Sequence, residues 1–336
     1  MCDSSRGMET NPSISPRLRF LGYAACFAAS CLWGTGFYFS RLALNEMSVN
    51  YMVLYRILFA CLGVLPVALV CRVRFTGREW RTLLLSAAFG IPISCLLQFG
   101  GLSLTTVSHA SLMVGAMPVM LAVAAALFAP KGSTEERLGR LGWLALFAST
   151  AGAALITQGG SHATSHGAAM RDQPSLAGDL LVLVSLVAAL AWILLSKKLM
   201  LSHSPSAVSA YTILAGGAML LPWVMGSWII SPLTHAHVAP PPFAHVSWTA
   251  WSALAFAGLM CTASTTLLWN WGIHHVPASR AGVFLNLEPM LGSFLGVQLL
   301  GEHLGSFAWI GGGLILSAAL ALTTQNHQPE PNILLE

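Results

Sequence analysis

Ten stretches of this chain are apolar on every side and long enough to cross a bilayer. A hydrocarbon core about 30 Å thick takes about 20 residues of helix. Runs of that order lie at 20–41, 49–70, 82–100, 107–129, 141–158, 177–196, 206–230, 248–270, 281–300 and 306–324. Lipid accepts only helices and closed barrels, because every backbone polar group has to be satisfied within the protein. Barrel strands alternate apolar and polar residues, and these runs do not. The pattern predicts an all-α integral membrane protein with ten transmembrane helices.

The pattern is written twice. Residues 98–118 align with 269–289 at a shift of 171, setting Gly101 on Gly272, Ser108 on Ser279, Ala110 on Ala281 and Pro118 on Pro289. At a shift of 156, Ser40, Tyr55 and Pro66 meet Ser196, Tyr211 and Pro222. At 166, Gly139 and Trp143 meet Gly305 and Trp309. Five helices per copy is an odd number, so the second copy has to enter the membrane upside down. Internal duplication of this kind is how many carriers are built, with the site at the seam. The expected organisation is a cytoplasmic tail at 1–19, a first five-helix repeat at 20–158, a periplasmic linker at 159–176, a second, inverted repeat at 177–324 and a cytoplasmic tail at 325–336.

Charge supports the direction. Only 8% of residues are charged, against roughly 25% in soluble domains. With the N-terminus in the cytoplasm, thirteen of the sixteen Lys and Arg fall on inner segments, Arg41 and Arg171 fall outside, and Arg56 lies within the second run. That is a strong positive-inside bias. The loop after the second run, RVRFTGREWR, holds four arginines. Its counterpart after the seventh holds neither Lys nor Arg. The first apolar run is too long for the core of a signal peptide, so it reads as a retained span. The seven cysteines lack metal-site spacing, and disulfides and structural zinc are not expected.

The residues now on the page resemble the drug/metabolite transporter superfamily, specifically its EamA-type members. The likeness is carried by Leu32-Trp33-Gly34, Arg56, Ser111 to Pro118, Gly178-Asp179, Pro277 to Ala281, Leu287-Glu288-Pro289 and Gly301-Glu302. It implies two inverted five-helix repeats around a cavity reached alternately from each side. These motifs are nearly silent about the cargo. The tryptophan of the sixth run, Trp192, stands three residues later than a strict repeat of Trp33 requires.

Glu288 stands about eight residues into the ninth run, ~12 Å from its inner end at 1.5 Å per residue. A charge at that depth costs roughly 2.5–3.5 kcal/mol on insertion scales and needs a partner or a wet cavity. It reads either as a proton or substrate site, or as a structural acid paired to a neighbouring helix. Arg56 is the opposite charge expected to meet it, with a structural role as the alternative. Pro118 and Pro289 each remove a backbone donor, leaving the carbonyls of Val114 and Leu285 unpaired. Each is a hinge or helix break, or simply a packed kink. Trp33, Tyr38, Gln98, Trp192, Trp269 and Asn286 supply the aromatic and amide groups of a candidate pocket; for each tryptophan the alternative is interfacial anchoring or packing. Gly292 and Gly296 form a GxxxG pattern that close helix packing explains. His162, His166, His235, His237 and His245 fall in outer loops and lack the acid or cysteine that would complete a metal set.

No phosphate-binding loop, zinc-protease or serine-hydrolase motif is present, and the basic residues hug the membrane without forming a nucleic-acid stripe. The expectation is a multi-pass secondary transporter of a bacterial inner membrane that moves a small metabolite by alternating access; export of an amino acid or related compound is what the family resemblance implies. It needs no cofactor or metal and binds no nucleic acid. Its partners are the cargo, protons through Glu288 and the lipid bilayer, and it works as either a monomer or a homodimer. An uncoupled channel or facilitator and a membrane-embedded enzyme are the other classes. The enzyme reading needs clustered acids or histidines, which this chain scatters.

Overall fold

Helices begin and end where polar caps and left-handed turns allow, and among the described residues they fill most of the apolar runs. The computed structural model of the chain describes residues 16–117, 119–120, 123–124, 140–160, 174–234, 245–275 and 282–325. In chain order these form α1 (Pro16–Leu44), α2 (Val49–Val70), α3 (Gly77–Ala88), α4 (Ser94–Leu102), α5 (Val107–Val114), α6 (Arg140–Gly160), α7 (Leu176–Leu199), α8 (Pro205–Thr234), α9 (Trp248–Gly258), α10 (Thr265–His275), α11 (Leu287–Leu300) and α12 (Ser306–Gln325). No strand occurs among the described residues. Among the described residues, six stretches are long and apolar enough to cross a membrane by themselves: Arg17–Leu44, Val49–Val70, Gly77–Leu102, Leu176–Leu199, Pro205–Gly226 and Trp248–Gly272. Phe20, Leu62, Val70, Phe147 and Val187 are exposed on the outside of the bundle, a surface suited to lipid.

Among the described residues, two helices carry a π turn. Phe89–Ile93 joins α3 to α4, and Leu259–Ser264 joins α9 to α10. Each turn is met by a glycine from a neighbouring helix. A Cβ on Gly216 of α8 would lie 2.4 Å from Ile91, and one on Gly63 of α2 would lie 2.9 Å from the Cβ of Ala263. The starts Phe89 and Leu259 are 170 residues apart, so the turns fall at matching places in the duplicated sequence.

The packing pairs α2 with α8, α5 with α11, and α6 with α12, while α1 lies on α10 and α4 on α7. Close backbone approach at glycine makes several of these contacts. A Cβ on Gly101 would sit 2.6 Å from the Gly178 carbonyl oxygen, and one on Gly272 would sit 3.0 Å from that of Gly22. These two contacts correspond, since Gly101 and Gly272 are 171 apart and Gly22 and Gly178 are 156 apart. Gly292 and Gly296 bring α11 against Ser111 and Ser108 of α5, as the GxxxG spacing predicts.

The bundle has an arginine-rich end and an acidic end. At the first, the loop of Arg72 and Arg74 leads into a capping box, where the Thr76 hydroxyl accepts from the Glu79 amide and Glu79 accepts from the Thr76 amide at 2.8 Å. Glu79 also pairs with His203 at 3.2 Å, and Phe75 packs edge-on against Trp80, His203 and Tyr211. Cys71, next to this loop, is disulfide-bonded, contrary to the expectation of free thiols; Cys26, Cys31, Cys61, Cys95 and Cys261 are free. Sequence spacing does not report which cysteines the fold brings within bonding distance.

Candidate functional site

Arg56 lies at the meeting point of four helices. Its side chain is 8% exposed. Nη1 donates to the Ser40 hydroxyl of α1 at 2.6 Å, and Nε donates to the Thr262 hydroxyl in the second π turn at 3.1 Å. The guanidinium lies 4.6 Å over the Phe99 ring of α4, a cation–π arrangement. Gly36 leaves room for it, since a Cβ there would stand 3.5 Å from Nη2 and 3.3 Å from the Cys261 Cβ. The π turn prepares Thr262 for this contact. Its hydroxyl also donates to the Ala257 carbonyl five residues back, at 3.0 Å.

Glu288 is half-buried in the first turn of α11, where the Gly34 backbone of α1 crosses so closely that a Cβ would sit 2.9 Å from the Glu288 carbonyl oxygen. It shares the interior with Arg56, but the two form no ion pair; the partners of Arg56 are two hydroxyls and a ring. The expected direct pairing is therefore corrected. Helices α2 and α11 are not among the closely packed pairs, and hydroxyls on α1 and the π turn lie closer to the guanidinium.

The other predicted positions separate. Trp33 and Trp269 come together across α1 and α10, with ring centroids 5.6 Å apart. Trp192 packs on the first π turn, where a Cβ on Gly90 would fall 2.5 Å from its ring, and its indole N–H is buried without a partner. Tyr38 contacts its neighbour Phe39, and Gln98 is half-buried beside Phe99. Asn286 is buried where a 3-10 turn, Gly282–Asn286, gives way to α11. Pro289 stands in the first turn of α11, so the helix break precedes it by three residues. Pro118 lies outside the described residues, as do His162, His166, His235 and His237. No group of three or more metal-ligating side chains occurs among the described residues.

The acidic end holds what sequence reasoning missed. Among the described residues, three carboxylates there join one half of the chain to the other. Asp179, fully buried at the start of α7, accepts from the Thr105 hydroxyl at 2.6 Å and lies 3.4 Å from Nδ1 of the buried His109. Arg41 donates to the Thr105 carbonyl. Glu302 accepts from the Val107 and Ser108 amides, both at 2.7 Å, and from the Ser108 hydroxyl at 2.6 Å. It thereby holds the N-terminus of α5, where free amides and the helix dipole favour an anion. Gly301 makes this reach possible: its φ of 67° is left-handed, a conformation glycine adopts without strain. Glu46, after α1, accepts from the amide and hydroxyl of Ser247, the cap of α9, both at 2.6 Å. Of the three acids, sequence reasoning marked only Asp179 and Glu302, as motif residues without partners.

The Ser247 hydrogen bonds hold the Glu46 carboxyl below its ordinary value of 4.5. A depressed carboxyl contributes stability that is fully present above 4.5 and is lost as pH falls through the lower folded value. The Glu46–Ser247 bridge is therefore expected to be intact at neutral pH and to part in the acid range below 4.5. A spin-label distance between the two loops, followed against pH, checks this; a distance already lengthening at pH 6 would contradict it.

The profile of the EamA-like transporter family matches the chain at residues 20–158 and again at 176–324. Two proteins of Archaeoglobus fulgidus, each described as an uncharacterized transporter, are similar over nearly their whole length. One is 23% identical over 299 residues, covering 88% of this chain and 95% of that protein. The other is 26% identical over 309 residues, covering 89% and 95%. A solved crystal structure superposes with a TM-score of 0.59 at 17% identity, over 90% of this chain and 96% of that one; at that identity the likeness shows the fold alone.

Proposed function

Because the chain belongs to the EamA-like transporter family, we propose that this multi-pass membrane transporter moves a small metabolite by alternating access, with export of an amino acid or related compound across a bacterial inner membrane as its task. The observation that carries the reading is the recurrence of contacts between halves. Exchanging each helix for its counterpart in the other repeat turns the α1–α10 pairing into the α4–α7 pairing and returns α2–α8, α5–α11 and α6–α12 to themselves. A twofold relation of this kind supports ten helices in two inverted five-helix repeats, with boundaries at 20–158 and 177–324. The arginine-rich end then faces the cytoplasm, together with both termini, and the acidic end faces out.

In this arrangement Asp179, Glu302 and Glu46 close the outer end by tying the halves together. Rocking the halves apart requires all three bridges to part. Trp33, Trp269, Gln98 and Asn286 supply the walls for cargo, and Glu288 supplies an interior acid for proton coupling. Asn286, Pro289 and the 3-10 turn form a flexible joint at the start of α11.

The bridges give the test. A variant retaining Cys95 as its only free cysteine, reconstituted in vesicles, is treated with a membrane-impermeant maleimide from each side. Cys95 is expected to be shielded from the acidic side, and an Asp179→Asn, Glu302→Gln double substitution is expected to expose it there. Equal labelling from both sides in the unsubstituted protein would favour a channel. Unchanged shielding in the double variant would remove the bridges from the mechanism.

A further inference from the structure

The geometry points to Arg56 as the residue that receives the cargo, through a carboxylate group on that cargo. This deepens the transport reading and rests on it.

A guanidinium has five N–H donors. Two are used, by Ser40 and Thr262, which leaves both N–H of Nη2 and one of Nη1. Arg56 is more than nine-tenths buried, and among the described residues three of its donors have no acceptor and no carboxylate forms an ion pair with it; Nη2 is not one of the unpartnered atoms sealed from solvent, so it is reached from open space. The α1 backbone passes beside Nη2 at Gly36, where a Cβ would stand in contact with it at 3.5 Å. The remaining donors belong to two adjacent nitrogens, which can offer two N–H groups to the two oxygens of a carboxylate.

The packing fixes the fork in place. Ser40 and Thr262 hold two nitrogens, and Phe99 lies under the plane. An arginine locked in this way loses little rotamer freedom on binding an anion. Its anchors come from both halves: Ser40 and Phe99 belong to the first, Thr262 to the second. Cargo on Arg56 therefore sits at the seam, where movement between the halves is felt.

The charge balance selects the class of anion. Arg56 is one positive charge, and the interior it faces also holds the acid Glu288. A single fixed cation beside an acid suits a monoanion. A phosphate dianion would need further cations or a cluster of backbone amides. The cargo class is thus a small monocarboxylate, with or without an amino group to face Glu288.

The test uses the full-length protein in lipid nanodiscs and follows thermal stabilisation. The probes are the twenty L-amino acids, short-chain fatty acids and benzoate, each paired with its primary amide. One or more acids are expected to stabilise the protein with an affinity about 10- to 100-fold above that of the matching amide. Arg56→Gln is expected to erase the difference between acid and amide, and Arg56→Lys to keep part of it. Amides that bind as well as acids, or an Arg56→Gln protein that still prefers acids, would overturn the assignment. So would a panel in which nothing binds. The comparison of acid with amide on the unsubstituted protein stands even if the variants fail to fold. Maleimide access to Cys95 reads the movement of the halves separately, so either proposal can fail without the other.

Discussion

Replacing Asp179 by alanine is expected to cost about 1–3 kcal/mol for each buried partner it leaves unsatisfied. The loss has three parts. The Thr105 hydroxyl loses its acceptor at 2.6 Å, and His109 loses the carboxylate beside Nδ1. Both are buried, Thr105 fully and His109 to 2% exposure, so water does not replace what is removed. The Thr105 carbonyl is also the acceptor for Arg41, so the disturbance reaches the end of α1. Asp179→Asn retains an acceptor for Thr105, so its cost is expected to be less than half as large. Thermal unfolding of the two purified variants in one detergent checks the order. An alanine variant as stable as the unsubstituted protein would show that this network contributes little.

Replacing Gly311 by leucine is expected to separate α12 from α6 and leave little folded protein. The contact there is reciprocal. A Cβ on Gly311 would lie 2.4 Å from the Gly152 carbonyl oxygen, and one on Gly152 would lie 2.5 Å from the Gly311 carbonyl oxygen. Backbone atoms cannot rotate aside as a side-chain tip can, so the helices themselves have to move. Overpacking typically costs about 1–3 kcal/mol where side chains can adjust, and the cost here is expected to lie above that range. Gly313 is the control. Nothing lies within 4 Å of a Cβ at that position, so Gly313→Ala is expected to be neutral or to stabilise by up to about 1 kcal/mol through helix propensity. Yield of monodisperse protein on size exclusion separates the cases. Equal yields from Gly311→Leu and Gly313→Ala would contradict the close packing.

Much of the fold was legible because bilayer thickness sets the length of an apolar run. The second run, read as 49–70, is α2 residue for residue. The third was read to start at 82, but the helix starts at Gly77, because the Thr76–Glu79 capping box lies in polar sequence that hydropathy ignores. The interior charges Arg56 and Glu288 were legible because charge within lipid is rare. Their surroundings were not. Ser40 and Thr262 are ordinary hydroxyl residues 16 and 206 positions from Arg56, and only the fold brings them to it. The bridges of Asp179, Glu302 and Glu46 were hidden for the same reason, since each spans more than 70 residues or joins the two halves outright.

The paired π turns carry a consequence for how this chain tolerates insertion and loss. A π turn holds one residue more than the α-helix around it, and each residue advances a helix by about 100°. Deleting a single residue between Phe89 and Ile93 would let the helix close into regular α form and swing everything beyond it by that angle. Phe99 would then leave the underside of the guanidinium, while the apolar length of the span would hardly change. The same deletion between Leu259 and Ser264 would carry Thr262 or its neighbours out of register. Chain length is therefore fixed more strictly at these two interior points than in the connecting loops.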